Sequence, residues 1–110
     1  LQAHPDVKVV CCIGGGGAAG ANEALKGAYG SEVPDDVGIF STDLTDEAVA
    51  SMQNGEFDRC VVAITGNAFV CGDVVYDLSM RYAAGEKLDH EVYRDLIPVT
   101  PENLSEMISE

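Results

Sequence analysis

The chain has 110 residues, a formal net charge of −13 and a hydrophobic fraction of 46%, which is typical of one folded domain rather than a disordered segment. Only six Lys or Arg residues accompany 19 Asp or Glu residues, so nucleic acids and anionic membranes are excluded as partners, because phosphate groups are bound by clustered cations. No apolar run approaches the roughly 18 residues that a membrane span needs.

The cysteines are predicted to be buried free thiols. Cys11 and Cys12 are adjacent in a predicted strand and must point to opposite faces, and neighbouring cysteines rarely form a disulfide without backbone strain. Cys60 and Cys71 complete the set, no Cys-x-x-Cys motif occurs, and both histidines are distant in sequence. The sequence therefore predicts structural thiols and no metal site.

The first predicted element is a buried strand, Val7–Ile13, which leads directly into four glycines, Gly14–Gly17. A small-residue helix is predicted over Ala18–Tyr29, and Gly30 ends it. Ligands of open α/β folds are held at such strand-to-helix turns.

A second strand is predicted over Val37–Thr42, and Asp43 follows it directly. The carboxylate of Asp43 is therefore expected at the carboxyl end of the sheet, where it faces a cleft. Thr45 is predicted to cap the next helix, which stops at Asn54-Gly55.

The third predicted strand, Cys60–Ile64, is continuously apolar, as expected for a strand buried on both faces. The longest helix is predicted over Ala68–Ala84 and ends at Gly85. Apolar residues at helical spacing are predicted to form the inner face of this helix: Cys71, Val74, Val75, Leu78 and Tyr82.

The next element is an edge strand within Glu91–Val99, a position in which Pro98 is tolerated. The last element is a helix that begins at Thr100-Pro101, with Thr100 as the N-cap and Pro101 in the first turn. Strands and helices thus alternate four times. This order predicts an α/β fold with an open parallel sheet and right-handed crossovers.

One interpretation of the glycines is a dinucleotide site. Gly15-x-Gly17-x-x-Gly20 follows a strand and opens a helix, and Asp43 stands where an acid that binds ribose is expected. The chain would then be the Rossmann-type domain of an oxidoreductase that binds NAD or FAD. The chain has no second motif for hydride chemistry.

The glycine run also has a faint resemblance to the nucleotide turn of tubulin-like GTPases, whose second phosphate loop has no counterpart here.

A different interpretation uses nearly the whole chain. The sequence resembles the type I periplasmic (ribose-binding-like) solute-binding proteins of sugar ABC transporters, through landmarks that follow the family's order. They are His4-Pro5-Asp6 before the first strand, Gly20 with Ala24-Leu25-Lys26, Val33–Ile39, Asp43 with Thr45 and Glu47-Ala48, Gln53–Phe57, Gly72, and Ala84–Leu88.

This resemblance implies a periplasmic-binding-protein-like lobe fragment, the C-terminal part of a two-lobed receptor. Residues 1–60 would belong to the C-terminal lobe, and residues 61–92 would form a hinge strand and a helix that packs on the other lobe. Residues 93–110 would form the return crossing and the final helix. The opening at Leu1 likewise indicates a piece of a longer protein, and an isolated piece is expected to self-associate through its uncovered apolar surface.

The resemblance also implies a ligand site. In the family, the strand that corresponds to Val37–Thr42 ends in an Asp that bonds sugar hydroxyls, and Asp43 matches it; the alternative role for Asp43 is helix entry. Thr65 and Asn67 fall near the hinge, where the family often places an amide ligand, although Asn67 could instead cap the long helix. Gly14 and Gly15 replace an Asn-Asp pair of the family. Their bare N–H groups favour an anion or a close carbonyl, so an acidic or modified sugar or another small polar metabolite is an expected ligand.

The implied function is extracytoplasmic binding of a sugar or related solute for import through an ABC-transporter permease, without catalysis, cofactor or metal. No nucleophile–base arrangement is visible in the sequence. The effector domain of a LacI-type repressor shares this fold and remains an alternative.

Overall fold

The computed structural model describes residues 3–64 and 68–108. The predicted alternation of strands and helices is confirmed. In chain order the elements are β1 (Val9–Cys12), α1 (Gly15–Tyr29), β2 (Gly38–Thr42), α2 (Asp46–Gln53), β3 (Asp58–Ile64), α3 (Ala68–Ala83), β4 (Leu96–Val99) and α4 (Leu104–Met107). None of the helices in these ranges is long and apolar enough to cross a membrane.

The strands form an open sheet in the order β1-β2-β3-β4. β1 pairs with β2 and β2 pairs with β3, both in parallel, with Cys12 opposite Ser41 and Ser41 opposite Val61. The expected α/β class with a parallel sheet is therefore confirmed. Because parallel strands end at the same edge, the residues that follow β1 and β2 lie side by side.

Both α1 and α2 pack on one face of this sheet. Leu25 of α1 is buried in a cluster with Ile39 of β2, and Met52 of α2 is buried in a cluster with Val61 of β3. Ile39 and Val61 lie on the same face, because Val61 pairs with Ser41, two residues beyond Ile39. Right-handed crossovers that run in one direction along a sheet place their helices on one face.

The opposite face of the sheet explains why the predicted burial of the first strand is wrong. Val9 in β1 is 56% exposed and Phe40 in β2 is 43% exposed, because α1 and α2 both pack on the other face, against Ile39 and Val61. Cys11 lies on the same face as Val9 and is exposed, whereas Cys12 points toward α1. The prediction of buried thiols is therefore wrong: Cys12, Cys60 and Cys71 are only half-buried.

Two helix starts differ from the prediction. α1 begins at Gly15 rather than Ala18, because Gly14 turns the chain with a φ of 82° and the helix follows at once. α4 begins at Leu104 rather than after Thr100. Residues 100–103 form a turn instead, in which the Asn103 Oδ1 accepts a hydrogen bond from the Thr100 N–H at 2.8 Å.

The chain divides into two compact units, Leu1–Ala63 with Ile97–Glu110, and Ile64–Leu96. The second unit contains α3, which ends as predicted before Gly85, whose φ is 83°. Its predicted inner face is only partly buried within the described residues, since Val75 is 64% and Tyr82 is 74% exposed.

Candidate functional site

The turn between β1 and α1 is tied to the end of β2 by one hydrogen bond. The Gly14 N–H donates to the Thr42 Oγ1 at 2.8 Å. Gly14 has φ 82° and ψ 152°, a conformation that is essentially restricted to glycine. The backbone of this turn therefore depends on a glycine at position 14.

Asp43 follows β2 directly and turns the chain toward α2. Its φ is 69°, and it is the one non-glycine residue with positive φ in residues 3–64 and 68–108. Asp adopts this left-handed conformation more readily than most residues. The Asp43 N–H donates to the Val62 carbonyl of β3 at 3.2 Å, which anchors the backbone and leaves the side chain exposed.

The turn after β1 and the turn after β2 place the Asp43 carboxylate beside Gly14. The Asp43 Oδ2 lies 3.9 Å from the position that a Cβ on Gly14 would occupy. A side chain at position 14 would therefore project toward the carboxylate. With glycine there, the carboxylate and the backbone at the start of α1 can both be reached from the same side.

Gly15 is required by the packing of the next loop. A Cβ on Gly15 would overlap the Thr45 Cγ2. Thr45 is fixed there because its Oγ1 accepts a hydrogen bond from the Ala48 N–H at 3.3 Å, so the predicted N-cap is confirmed. Backbone N–H and the Thr45 hydroxyl together lower the pKa of Glu47 in the first turn of α2.

The charges at this edge are negative. The first turn of α1 contains no acidic residue, and Asp43 supplies a carboxylate next to that positively polarised helix start. No Lys, Arg or His occurs among the residues that form the two turns, namely Ile13–Gly17 and Thr42–Thr45. This edge therefore offers a carboxylate acceptor, which suits hydroxyl or ammonium groups better than a second anion.

The structure brings together three of the predicted site residues, Gly14, Gly15 and Asp43. Thr65 and Asn67, the other two, lie outside the described residues. Thr42 was missed by sequence reasoning. Its hydroxyl accepts a hydrogen bond from the Gly14 N–H because the parallel register aligns the ends of β1 and β2. The local sequence signal for this role is a polar residue at the end of an apolar strand.

The Gly15-x-Gly17-x-x-Gly20 segment lacks one structural feature of a dinucleotide site. In that motif the third glycine allows close packing of helix against strand. Here a Cβ on Gly20 would meet no atom within 4 Å, and Gly15 and Gly17 both lie inside α1. Gly15 is instead explained by its contact with Thr45.

Within residues 3–64 and 68–108, no group of three or more His, Cys, Asp or Glu side chains is arranged to hold a metal ion.

Comparison with known proteins finds similarity both in sequence and in fold. The chain is 36% identical over 89 residues to a Rhizobium meliloti protein named "Putative rhizopine-binding protein". Its fold matches GanP, a glucose-galactose binding protein from Geobacillus stearothermophilus, with a TM-score of 0.80 at 16% identity, and a Mycobacterium smegmatis protein with a TM-score of 0.72 at 21% identity. No protein-family model matches the chain.

The matched regions cover most of this chain and a minor part of each relative. The Rhizobium match spans 81% of this chain and 27% of that protein. The two structural matches span 94% and 98% of this chain, and 35% of each neighbour. The comparisons confirm the resemblance and the fold class that the sequence predicts.

Proposed function

We propose that this chain, which is similar to part of a type I periplasmic solute-binding protein, supplies one wall of a binding site for a small polar solute. The observation that carries the proposal is the position of the Asp43 carboxylate beside Gly14, at the carboxyl ends of β1 and β2. Ligands of open α/β sheets bind at this edge. The resemblance assigns the same role to Asp43.

The solute is a sugar or a related polyol with neutral or cationic groups. The names of the Rhizobium relative and of the Geobacillus neighbour refer to a rhizopine and to glucose and galactose. The Asp43 carboxylate accepts hydrogen bonds from hydroxyl or ammonium groups. We place acidic sugars last, because the carboxylate already provides the negative charge next to the start of α1.

The remaining parts of the site and of the molecule follow the resemblance. Thr65 and Asn67 are proposed as further ligands near a hinge, and a second lobe outside these residues is proposed to close the cleft. In this arrangement residues 1–60 belong to the C-terminal lobe, residues 61–92 cross the hinge, and residues 93–110 return. The protein acts outside the cytoplasm and delivers its solute to an ABC-transporter permease, without catalysis.

Thermal unfolding of the full-length protein tests this function. D-glucose, D-galactose, a rhizopine, D-glucuronate and NADH are added separately at millimolar concentration. A neutral sugar or the rhizopine is expected to raise the Tm, because a ligand that binds only the folded state stabilises it. No shift with any polyol would contradict the proposal, and a shift with NADH alone would favour the dinucleotide site.

Substitution of Asp43 tests whether its carboxylate binds the solute. Asp43→Ala is expected to abolish the ligand-induced Tm shift. The matched control is Asp35→Ala, which removes one negative charge at an exposed loop position and is expected to keep the shift. An unchanged shift in Asp43→Ala would contradict the role of this carboxylate.

A further inference from the structure

The side chain of Thr42 lies at the same edge of the sheet as the proposed solute site and has an unused donor. Thr42 ends β2 and is half-buried. Its Oγ1 accepts a hydrogen bond from the Gly14 N–H at 2.8 Å, and among residues 3–64 and 68–108 this is the only hydrogen bond of the hydroxyl group. A hydroxyl group carries one donor and two acceptor lone pairs. Thr42 therefore keeps a proton that no group in these ranges accepts.

The bond to Gly14 orients and polarises the Thr42 hydroxyl group. Because a lone pair of the Thr42 oxygen faces the Gly14 N–H, the hydroxyl proton points away from that nitrogen. Gly14 directly precedes α1, so its N–H belongs to the positively polarised start of a helix. The oxygen that accepts this bond becomes a stronger donor itself, since linked hydrogen bonds polarise one another.

The next residue, Asp43, supplies an acceptor beside the same glycine. In a continued strand, consecutive side chains point to opposite faces, but β2 ends at Thr42 and Asp43 has a φ of 69°. The Asp43 Oδ2 lies 3.9 Å from the position of a Cβ on Gly14. No ion pair found in the described part of the chain includes Asp43. One unused donor and one unused acceptor therefore adjoin Gly14.

A donor and an acceptor in adjacent positions match a neutral hydroxyl group. A hydroxyl of the solute can donate to the Asp43 carboxylate, and its oxygen can accept from the Thr42 hydroxyl. An ammonium group has no lone pair and cannot accept from Thr42. A carboxylate or phosphate group has no proton to donate to Asp43 and is repelled by its charge.

We propose that Thr42 is a specificity-determining residue of the solute site. Its hydroxyl donates to a neutral oxygen of the solute, while the Asp43 carboxylate accepts from the same hydroxyl or from its neighbour on the ring. This inference rests on the proposed function and narrows it, because the solute then presents hydroxyl groups rather than an ammonium group to this edge.

Isothermal titration of the full-length protein with D-glucose, D-galactose and the monodeoxy analogues of each sugar tests this role. We expect the wild type to bind at least one of the two sugars and to lose affinity when one particular hydroxyl is absent. Thr42→Val removes the protein hydroxyl with little change of shape. It is expected to weaken binding of the sugar by about threefold to tenfold, as for one neutral hydrogen bond, and to leave the affinity for that deoxy analogue nearly unchanged.

Two controls accompany Thr42→Val. Thr42→Ser keeps the hydroxyl and is expected to keep the wild-type pattern of affinities. Ser79→Ala removes an exposed hydroxyl that donates to the Val75 carbonyl within α3 at 2.7 Å, and it is expected to leave every affinity unchanged. Thermal unfolding without ligand verifies that Thr42→Val is folded, and Thr42→Ala replaces it if it is not.

Three results would overturn the role of Thr42. The first is a Thr42→Val protein that binds both sugars and all analogues with wild-type affinity. The second is an equal loss of affinity for every sugar and analogue, which would mean that Thr42 only supports the Gly14 turn. The third is no binding of either sugar to the wild type; the proposed function would survive this result if the rhizopine still raised the Tm.

Discussion

The Asp43 carboxylate and Gly14 face each other across the ends of two adjacent strands. The Asp43 Oδ2 lies 3.9 Å from the point where a Cβ on Gly14 would stand, and both residues have positive φ. A second link, from the Gly14 N–H to the Thr42 hydroxyl, fixes the distance between the turns. The proposed solute site is therefore built from two constrained turns rather than from flexible loops.

The conformation of Gly14 leads to the first prediction. Gly14→Ala should lower the free energy of unfolding by about 1–3 kcal/mol, because alanine is strained at this combination of φ and ψ. Urea denaturation measures the change. The control is Gly16→Ala, since a Cβ there meets no atom within 4 Å and alanine in a helix stabilises by about 0.5–1 kcal/mol. Equal stabilities of the two variants would contradict the strained turn.

The contact between Gly15 and Thr45 leads to a rescue experiment. Gly15→Ala should destabilise by about 1–3 kcal/mol, because its Cβ would overlap the Thr45 Cγ2. Thr45→Ser removes that methyl group and keeps the hydroxyl that caps α2. The double variant is therefore expected to recover part of the lost stability, and urea denaturation of the two single variants and the double variant measures the coupling. Purely additive effects would show that the two side chains do not collide.

The buried carboxyl group of Asp58 leads to a pH-dependent prediction. Its pKa is raised in the folded state, so its contribution to stability is greatest below the pKa of the unfolded chain, near 4, and falls as the pH rises through the folded-state pKa. Asn at position 58 does not titrate. The stability of Asp58→Asn minus that of the wild type should therefore increase from pH 4 toward pH 7.

Denaturant unfolding at several pH values measures this difference. Asp35→Asn, at an exposed loop position, serves as the control for the removal of one charge. A difference for Asp58→Asn that falls with pH would mean that the folded protein favours the ionised carboxylate.

The uncovered face of the sheet leads to a prediction for the 110-residue chain expressed by itself. Val9 is 56% and Phe40 is 43% exposed on this face, and large exposed apolar patches drive association. A second copy is the expected occupant, since the neighbouring face residues Cys11, Cys60 and Val62 are uncharged. Elsewhere, two chains of net charge −13 repel each other.

Sedimentation equilibrium tests this association. Phe40→Thr should shift the chain toward the monomer, and Tyr76→Gln, at a position 68% exposed on α3, should leave the association unchanged. A monomeric wild-type chain at tens of micromolar, or an equal effect of both variants, would contradict association through the sheet face.

The sequence by itself determined the order of strands and helices, because hydrophobic periodicity, glycine stops and the Thr45 cap are local signals. It also placed Asp43 and Gly14 at the ends of neighbouring strands. Tertiary structure alone decided that Thr42 holds Gly14, that Gly15 is required beneath Thr45, and that Val9 and Phe40 are exposed. These facts depend on strand register and on which face the helices cover, and neither is encoded within a single element. The burial of the Asp58 carboxyl group, which is 2% exposed, is likewise decided by tertiary packing.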